Sequence, residues 1–201
     1  MSVLALLTIS SCSSQYPYLN KSKAIKPSAT THADYRYLIG PGDSLSIFVW
    51  KNPEVSTTVT VRPDGIINAP LVDDLKVSDK TPAAIAREIE QVLSKFIREP
   101  IVTVTVAGFV GPYHDQVRVI GEASKPQSLP YKEDMTLLDV IIAVGGLTEF
   151  ADGNNAVLSR VVKGKYQQYT VRMDDLLQAG DMNENVDILP GDILVIPESW
   201  F

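Results

Sequence analysis

The sequence predicts an α+β protein of two small domains, each with several strands and one helix. Short apolar runs that alternate with Ser or Thr recur along the chain and end at Pro, Gly and Asp turns, which is typical of strands. Each half also contains one stretch with a helix start signal. The composition, 45% apolar and 21% charged, suits a globular chain of 201 residues with one average core or two small ones.

The predicted first domain, residues 35–108, begins as a small sheet. A turn leads into an apolar run at residues 45–50, which is interpreted as a strand. Alternating Thr and Val predict a second strand at 57–62. A Pro-Asp-Gly turn then leads into 66–67, so these two segments are expected to form a hairpin.

One amphipathic helix is expected to pack on this sheet. Thr81 and Pro82 supply its N-cap and first position. A pair at 99–100, Glu-Pro, is expected to end it, and Val alternates with Thr at 101–106 as a further strand. A single apolar stripe beside strands forms core more often than it binds a partner. The stripe consists of Ile85, Ile89, Val92, Leu93 and Phe96.

The predicted second domain, residues 109–201, has a strand, helix, strand order that suggests a ubiquitin-like β-grasp. A strand is expected at 116–121. Thr136 can cap a helix at 137–144 that is apolar nearly all round and is therefore expected to be buried. The remaining predicted elements are strands at 156–162 and 167–172, a helical turn at 173–178 and a strand at 193–196.

Pro, Gly and Asp at turns are the distinctive residues of both domains. A Pro-Gly-Asp turn precedes an apolar strand once in each domain, and two similar turns that meet the same local need are favoured over a duplication because their flanks differ. For the aspartates, a side chain that closes its own turn is favoured over a carboxylate pair. The predicted turn residues are Gly40, Pro41, Gly42, Asp43, Pro63, Asp64, Gly65, Gly145, Gly146, Pro190, Gly191 and Asp192.

Residues 1–12 resemble a lipoprotein signal segment that ends at Cys12. The apolar run at 3–9 is shorter than the roughly 20 residues of a membrane-spanning helix, and Ser10, Ser11 and Cys12 follow it as in the bacterial lipobox, whose cysteine is lipidated. A buried cysteine in a short core strand is the competing interpretation. No Lys or Arg precedes the run, so the true start codon is expected upstream.

Residues 13–34 are rich in Ser, Lys, Thr and Pro and are predicted to be a flexible tether. Ser13, directly after the cysteine, resembles the signature of lipoproteins that are sent to the outer membrane. The expected location is therefore the cell envelope, as an outer-membrane lipoprotein that faces the periplasm.

Charge and residue usage argue against several classes of function. All 24 acidic residues lie at or after Asp34, while three of the 18 basic residues precede it, so the body carries −9 and is not expected to bind nucleic acid. An acidic soluble surface explains this charge equally well. One cysteine and two histidines offer no metal cluster. No convergent acid-base or nucleophilic set is evident, so neither catalysis nor a cofactor is expected.

The chain resembles the Wza-type outer-membrane polysaccharide export family, in a short form with an SLBB (soluble-ligand-binding β-grasp) domain. The resemblance covers residues 35–198. The polysaccharide export domain is similar to Tyr37-Leu-Ile-Gly-Pro-Gly-Asp-Ser-Leu-Ser-Ile, Val61-Arg-Pro-Asp-Gly65 and Pro100-Ile-Val-Thr-Val. The SLBB domain is similar to Val117-Arg-Val-Ile-Gly-Glu122, Ala143-Val-Gly-Gly-Leu-Thr148 and Leu189-Pro-Gly-Asp-Ile-Leu-Val-Ile-Pro197. The runs at 146–154 and 196–201 look like the branch found beside exosortase (PEP-CTERM) clusters.

The resemblance implies a protein that translocates exopolysaccharide without chemistry. Its expected state is a homo-oligomeric ring that encloses a channel and receives polymer from an inner-membrane polysaccharide co-polymerase. The chain ends after the SLBB motif, where long relatives continue into a pore helix, so a separate outer-membrane β-barrel is also expected as a partner.

Which residues contact glycan is unknown from the sequence. Four aromatic side chains can stack on sugar rings if they line a lumen, and core packing or a subunit interface is at least as favoured for each: Trp50, Tyr113, Tyr131 and Trp200. The alternative function is a monomeric saccharide-binding or sensing envelope lipoprotein, which the oligomeric state would distinguish.

Overall fold

The computed structural model describes residues 17–19 and 35–200, and the first of its two hydrophobic cores lies between a helix and two small sheets. Strand β1 is the centre of a three-stranded antiparallel sheet with the order β2-β1-β5, and β3 pairs with β4 as a separate hairpin. The elements are β1 Ser44–Val49, β2 Thr57–Thr60, β3 Ile66–Ala69, β4 Val72–Lys76, α1 Pro82–Leu93 and β5 Val102–Gly108.

Alternation along β1 explains how this sheet is covered. Leu45, Ile47 and Val49 are buried, while the residues between them lie on the other face. Helix α1 covers the buried face and starts as predicted, with the Thr81 hydroxyl accepting a hydrogen bond from the N–H of Ala84 at 3.3 Å.

Two expectations for the first domain are wrong. The segment around Thr57 pairs with β1 rather than with residues 66–67, which pair instead with β4. Strand β4 escaped prediction because Asp73 and Asp74 interrupt its apolar alternation. Helix α1 ends at Leu93, before the predicted Glu-Pro stop, and Phe96 is exposed because it lies beyond that end.

The second core is built on a five-stranded mixed sheet with the order β7-β6-β10-β8-β9. The first and last strands of the domain, β6 and β10, are parallel neighbours. Strand β7 is antiparallel to β6 on one side, and the β8–β9 hairpin lies beyond β10 on the other, with β8 antiparallel to β10. With a helix on the sheet this is the β-grasp arrangement, so the α+β prediction is confirmed. The elements are β6 Val117–Gly121, β7 Ser128–Leu129, α2 Leu137–Ala143, β8 Ala156–Val162, β9 Lys165–Val171, α3 Met173–Leu177 and β10 Ile193–Ile196.

Helix α2 buries one face rather than its whole surface. Its N-terminus is closed by Asp139, whose carboxylate accepts from the N–H and the hydroxyl of Thr136. Leu137, Val140 and Ile141 are buried, but Ile142 is 68% exposed. The prediction of a fully buried helix was wrong because a helix of two turns that lies on one sheet presents its far side to solvent.

Residues 17–19 extend the edge of this second sheet. Tyr18 forms a parallel bridge with Thr170 of β9, the Pro17 carbonyl accepts from the Thr170 N–H at 3.0 Å, and Leu19 packs on the second core. These residues fall within the predicted tether, where a strand this short leaves no periodic signal. The rest of the tether, and residues 1–12 with Cys12, lie outside the described residues.

Candidate functional site at the joint between the domains

The two predicted Pro-Gly-Asp turns pack on the same piece of chain. We call residues 109–116, which join β5 to β6, the connector. The turn at 40–43 contacts its first half and the turn at 190–192 contacts its second half. The joint between the domains is therefore held from both sides, and we take it as the candidate functional site.

Asp43 binds the connector directly. Its side chain is completely buried and accepts four hydrogen bonds from uncharged donors. One carboxylate oxygen accepts from the Gly40 N–H at 2.9 Å and the Tyr37 hydroxyl at 2.7 Å. The other accepts from the N–H groups of Val110 at 2.6 Å and Gly111 at 2.9 Å. Asp43 thus closes its own turn and fixes residues almost 70 positions away.

Backbone meets backbone beside Asp43. A Cβ on Gly40 would overlap the carbonyl group of Gly111, so no larger residue fits without a shift of one chain. Gly111 itself has a φ of +73°, which side chains disfavour. Close approach at Gly40 therefore accounts for glycine in a turn that does not need it for its own φ.

Tyr37 closes the outer side of this contact. Its ring packs edge to face on Phe109 at a centroid distance of 5.2 Å. Burial, together with the hydrogen bond to Asp43, raises the pKa of the Tyr37 hydroxyl well above its usual value. The phenol therefore remains a neutral donor to Asp43.

The second turn is organised around an ion pair. Asp192 is also completely buried, and it accepts from the Nε of Arg160 at 2.9 Å and from its terminal nitrogen at 2.7 Å. The Leu189 N–H closes the turn at 2.8 Å. Arg160 also donates to the carbonyl of Asp187 at 2.7 Å, so this turn is fixed to β8 and to the strand that it launches.

This second turn reaches the connector through its backbone. The Gly191 N–H donates to the Asp115 carbonyl at 3.2 Å, and a Cβ on Gly191 would lie 2.6 Å from the carbonyl oxygen of His114. The N–H of Arg118, just after the connector, donates to the backbone carbonyl of Asp192 at 3.0 Å.

A third contact joins the domains through two tyrosines. The rings of Tyr35 and Tyr131 pack edge to face at 5.1 Å. Burial, and after it the charge of the Tyr35 phenol, raises the pKa of Tyr131 to about 12. Burial, with Asp115 and Glu133 adding to it, raises the pKa of Tyr35 as well. Tyr131, a candidate for sugar stacking, thus already packs against a ring.

The other predicted turn residues lie elsewhere. The turn at 63–65 is closed by a hydrogen bond of 2.8 Å that the Gly65 N–H donates to the Arg62 carbonyl. Asp64 forms an exposed ion pair with Arg62. Residues 145 and 146 end helix α2, both with positive φ. The structure therefore brings together two of the four predicted turns.

The remaining aromatic candidates lie on separate elements. Trp50 follows β1 and packs edge to face with Phe48 at 6.3 Å on the outer face of the first sheet. Tyr113 is exposed on the connector, and Trp200 is 96% exposed. Sequence reasoning missed Phe48, although alternation with the buried residues of β1 places it on the outer face.

The described part of the chain has neither a metal-ligand cluster nor a membrane-spanning helix. Over 17–19 and 35–200 there is no group of three or more His, Cys, Asp or Glu side chains that could hold a metal ion. In the same ranges no helix is both long and apolar enough to cross a bilayer.

The fold and the joint define a class of protein in which a β-rich domain with one helix is linked to a β-grasp domain. Residues 31–107 match the family model described as polysaccharide biosynthesis/export protein, and residues 115–196 match the SLBB domain. The chain therefore contains a polysaccharide biosynthesis/export domain followed by an SLBB domain. The resemblance found in the sequence is thereby confirmed.

The named relatives are polysaccharide export proteins and one exopolysaccharide production protein. EPS I polysaccharide export outer membrane protein EpsA of Ralstonia nicotianae is 28% identical over 81% of this chain and 47% of its own length. Capsule polysaccharide export protein BexD of Haemophilus influenzae is 27% identical over 80% of this chain and 43% of its own. Exopolysaccharide production protein ExoF of Rhizobium meliloti is 31% identical over 58% and 30%. The chain spans about half, or less, of these relatives.

Proposed function

We propose that this protein is a lipid-anchored subunit of an exopolysaccharide export channel in the cell envelope, facing the periplasm from the outer membrane. The match to the export domain and the names of the relatives support a role in polysaccharide export. The anchor is the lipid on Cys12. The subunits form a homo-oligomeric ring, and translocation makes and breaks no bond.

The observation that carries the proposal is the fixed joint between two family domains. The stretches that match the two models contain the two cores, and the connector between them is bound by Asp43 on one side and by Gly191 on the other. A subunit with a fixed angle between its domains can stack them as two layers of one ring. A mobile linker would let the layers lose register.

The partners in this proposal are the exopolysaccharide itself, an inner-membrane polysaccharide co-polymerase that delivers it, and a separate outer-membrane pore protein. The same proposal divides the chain into a signal segment at 1–12, a tether at 13–34, an export domain at 35–108 and an SLBB domain at 109–201. Membership of the exosortase-associated branch stays a prediction.

Gene deletion tests the proposal. We expect the deletion to abolish or strongly reduce secreted exopolysaccharide and the intact gene to restore it. Complementation with Cys12→Ala should give a protein that is absent from the membrane fraction and that restores secretion poorly, while Ser14→Ala serves as the matched control. Unchanged secretion after deletion would refute the export role. Normal membrane attachment of Cys12→Ala would refute the anchor alone.

The alternative, a monomeric saccharide-binding lipoprotein, is favoured by one observation. Phe48 and Trp50 present an exposed aromatic pair on the outer face of the first sheet, and such rings can stack on sugars. Sedimentation of the detergent-extracted protein distinguishes the two functions. A ring predicts one large species, whereas a strictly monomeric protein at high concentration would favour the alternative.

A further inference from the structure

The β8–β9 hairpin differs in charge from the rest of the body. Residues 153–173 contain four basic residues and no Asp or Glu, in a chain with 24 acidic and 18 basic residues. Arg160 is paired with the buried Asp192. Lys163 and Lys165 are exposed and flank Gly164 at the hairpin tip, so the tip is a basic point on an acidic body.

The same tip is apolar and aromatic on one face. Val161 and Tyr166 are paired across the hairpin, and their exposed fractions are 53% and 70%. Tyr18, on the added strand beside β9, is exposed as well. Aliphatic and tyrosine side chains next to lysines are the composition that proteins place at the boundary between water and lipid.

The described N-terminal residues run parallel to β9, whose first residue lies at this tip. The bridge between Tyr18 and Thr170 is parallel, so Pro17 lies on the side of Tyr18 that faces the start of β9. Cys12 precedes Tyr18 by six residues, at most about 20 Å of extended chain. Gly164 precedes Thr170 by six residues, again about 20 Å of strand. A membrane surface at Cys12 is therefore within reach of the tip.

We propose that the tip of this hairpin, Val161 to Tyr166, is a second membrane contact that enters the headgroup region of the leaflet holding the lipid on Cys12. Its occupant is a phospholipid surface with anionic headgroups, because Lys163 and Lys165 complement that charge. The inference rests on the proposed lipidation of Cys12. A single lipid would let the body rotate, whereas two contacts hold the second domain at the membrane.

Site-specific quenching tests this contact in the full lipidated chain. The protein is purified from membranes and reconstituted in vesicles of phosphatidylethanolamine and phosphatidylglycerol that contain spin-labelled lipid. Since the thiol of Cys12 is blocked by its lipid, Val161→Cys supplies one site for a fluorescent label. Ile142→Cys is the matched control, because Ile142 is similarly exposed but lies elsewhere. The carbonyl of its neighbour Ala143 accepts a hydrogen bond from the side chain of Gln127, close to β7 at the opposite edge of the sheet.

We expect lipid-borne spin labels to quench the label at 161 severalfold more than the label at 142. Adding Lys163→Glu and Lys165→Glu should weaken that quenching on anionic vesicles. The population of tips bound to the membrane should fall about fivefold for each lysine lost. High salt should weaken the quenching as well, because it screens the attraction.

Equal quenching at both sites would overturn the inference. The inference would also be overturned if the label at 161 were as well shielded from solvent in detergent as in vesicles, since a neighbouring subunit or the polymer would then cover the tip. The mass of the N-terminal peptide separates the two levels, because a chain without acyl groups on Cys12 refutes the anchor and with it the second contact. A lipidated chain with an unquenched tip refutes the second contact alone.

Discussion

Asp43 and Asp192 are completely buried carboxylates in similar turns, yet they are stabilised in different ways. Asp192 is neutralised by Arg160, a cation of its own domain, and its turn meets the connector only through backbone. Asp43 accepts from four neutral donors, two of which belong to the connector.

The difference teaches where each turn acts. A buried ion pair is specified by two side chains, and removing one of them destabilises the domain that contains both. A carboxylate held by backbone N–H groups is specified by the path of the chain, so it is satisfied only when the connector is in place. A substitution in the first turn is therefore expected to affect the joint, and one in the second turn mainly the SLBB domain.

The largest effect is expected from Asp192→Ala. It leaves the guanidinium of Arg160, whose side chain is 12% exposed, without its carboxylate partner. Removing one member of a buried pair costs about 3–5 kcal/mol in the free energy of unfolding. Hydrogen exchange should show lost protection in β8 and β10 with little change in β1 and β5. Adding Arg160→Met should recover part of the loss, and a loss below about 1 kcal/mol would contradict this account.

Asp43→Asn should have a smaller effect, spread over both domains. The amide offers one acceptor oxygen, and its NH₂ group faces donors, so about two charge-assisted bonds are lost, or roughly 2–4 kcal/mol. Exchange should accelerate at Val110 and Gly111 as well as around residue 40. Asp64→Asn is the matched control, because that carboxylate is exposed and should change stability by no more than about 0.5 kcal/mol. Loss of protection confined to the first domain would contradict a role in the joint.

Much of this fold could be predicted from the sequence, because most elements carry a recognisable pattern in their own residues. Thr81 and Pro82 mark the start of α1, and alternation marks the buried faces of β1 and β5. Strand β4 was missed because its pairing with β3, rather than an apolar pattern, makes it a strand.

The joint was only half predictable. The two Pro-Gly-Asp turns are recognisable because Pro, Gly and Asp together mark a turn in the sequence itself. That they both pack on the connector depends on contacts between residues far apart in the chain, such as Asp43 with Gly111. The edge strand at Tyr18 was hidden for the same reason, since Thr170 lies some 150 residues away.

Gly40→Ala separates the close approach at the joint from its hydrogen bonds. The added methyl group overlaps the Gly111 carbonyl, and forcing extra atoms into a packed contact costs about 1–3 kcal/mol. We expect the connector to become sensitive to proteolysis while both cores stay folded. Gly164→Ala is the control for the general effect of alanine at glycine, since a Cβ there meets nothing within 4 Å, although its φ of +74° adds some strain. If both variants were equally sensitive to protease, close packing of Gly40 on Gly111 would not be what holds the connector.

The smallest effect should come from alkaline pH at the tyrosine contact. The pKa of Tyr131 is about 12 in the folded chain against an ordinary value of 10.0, mainly because of burial. Folding therefore favours the protonated phenol, so its contribution is complete below pH 10 and is lost as the pH rises toward 12. Tyr35, Glu133, Asp134 and Asp187 oppose ionisation with the same sign. Tyr131→Phe should be less destabilised than the unaltered chain between pH 9 and pH 11 in urea unfolding, and Tyr113→Phe, at an exposed site, should not differ. An equal decline in all three would mean that the contact does not sense the ionisation of its own ring.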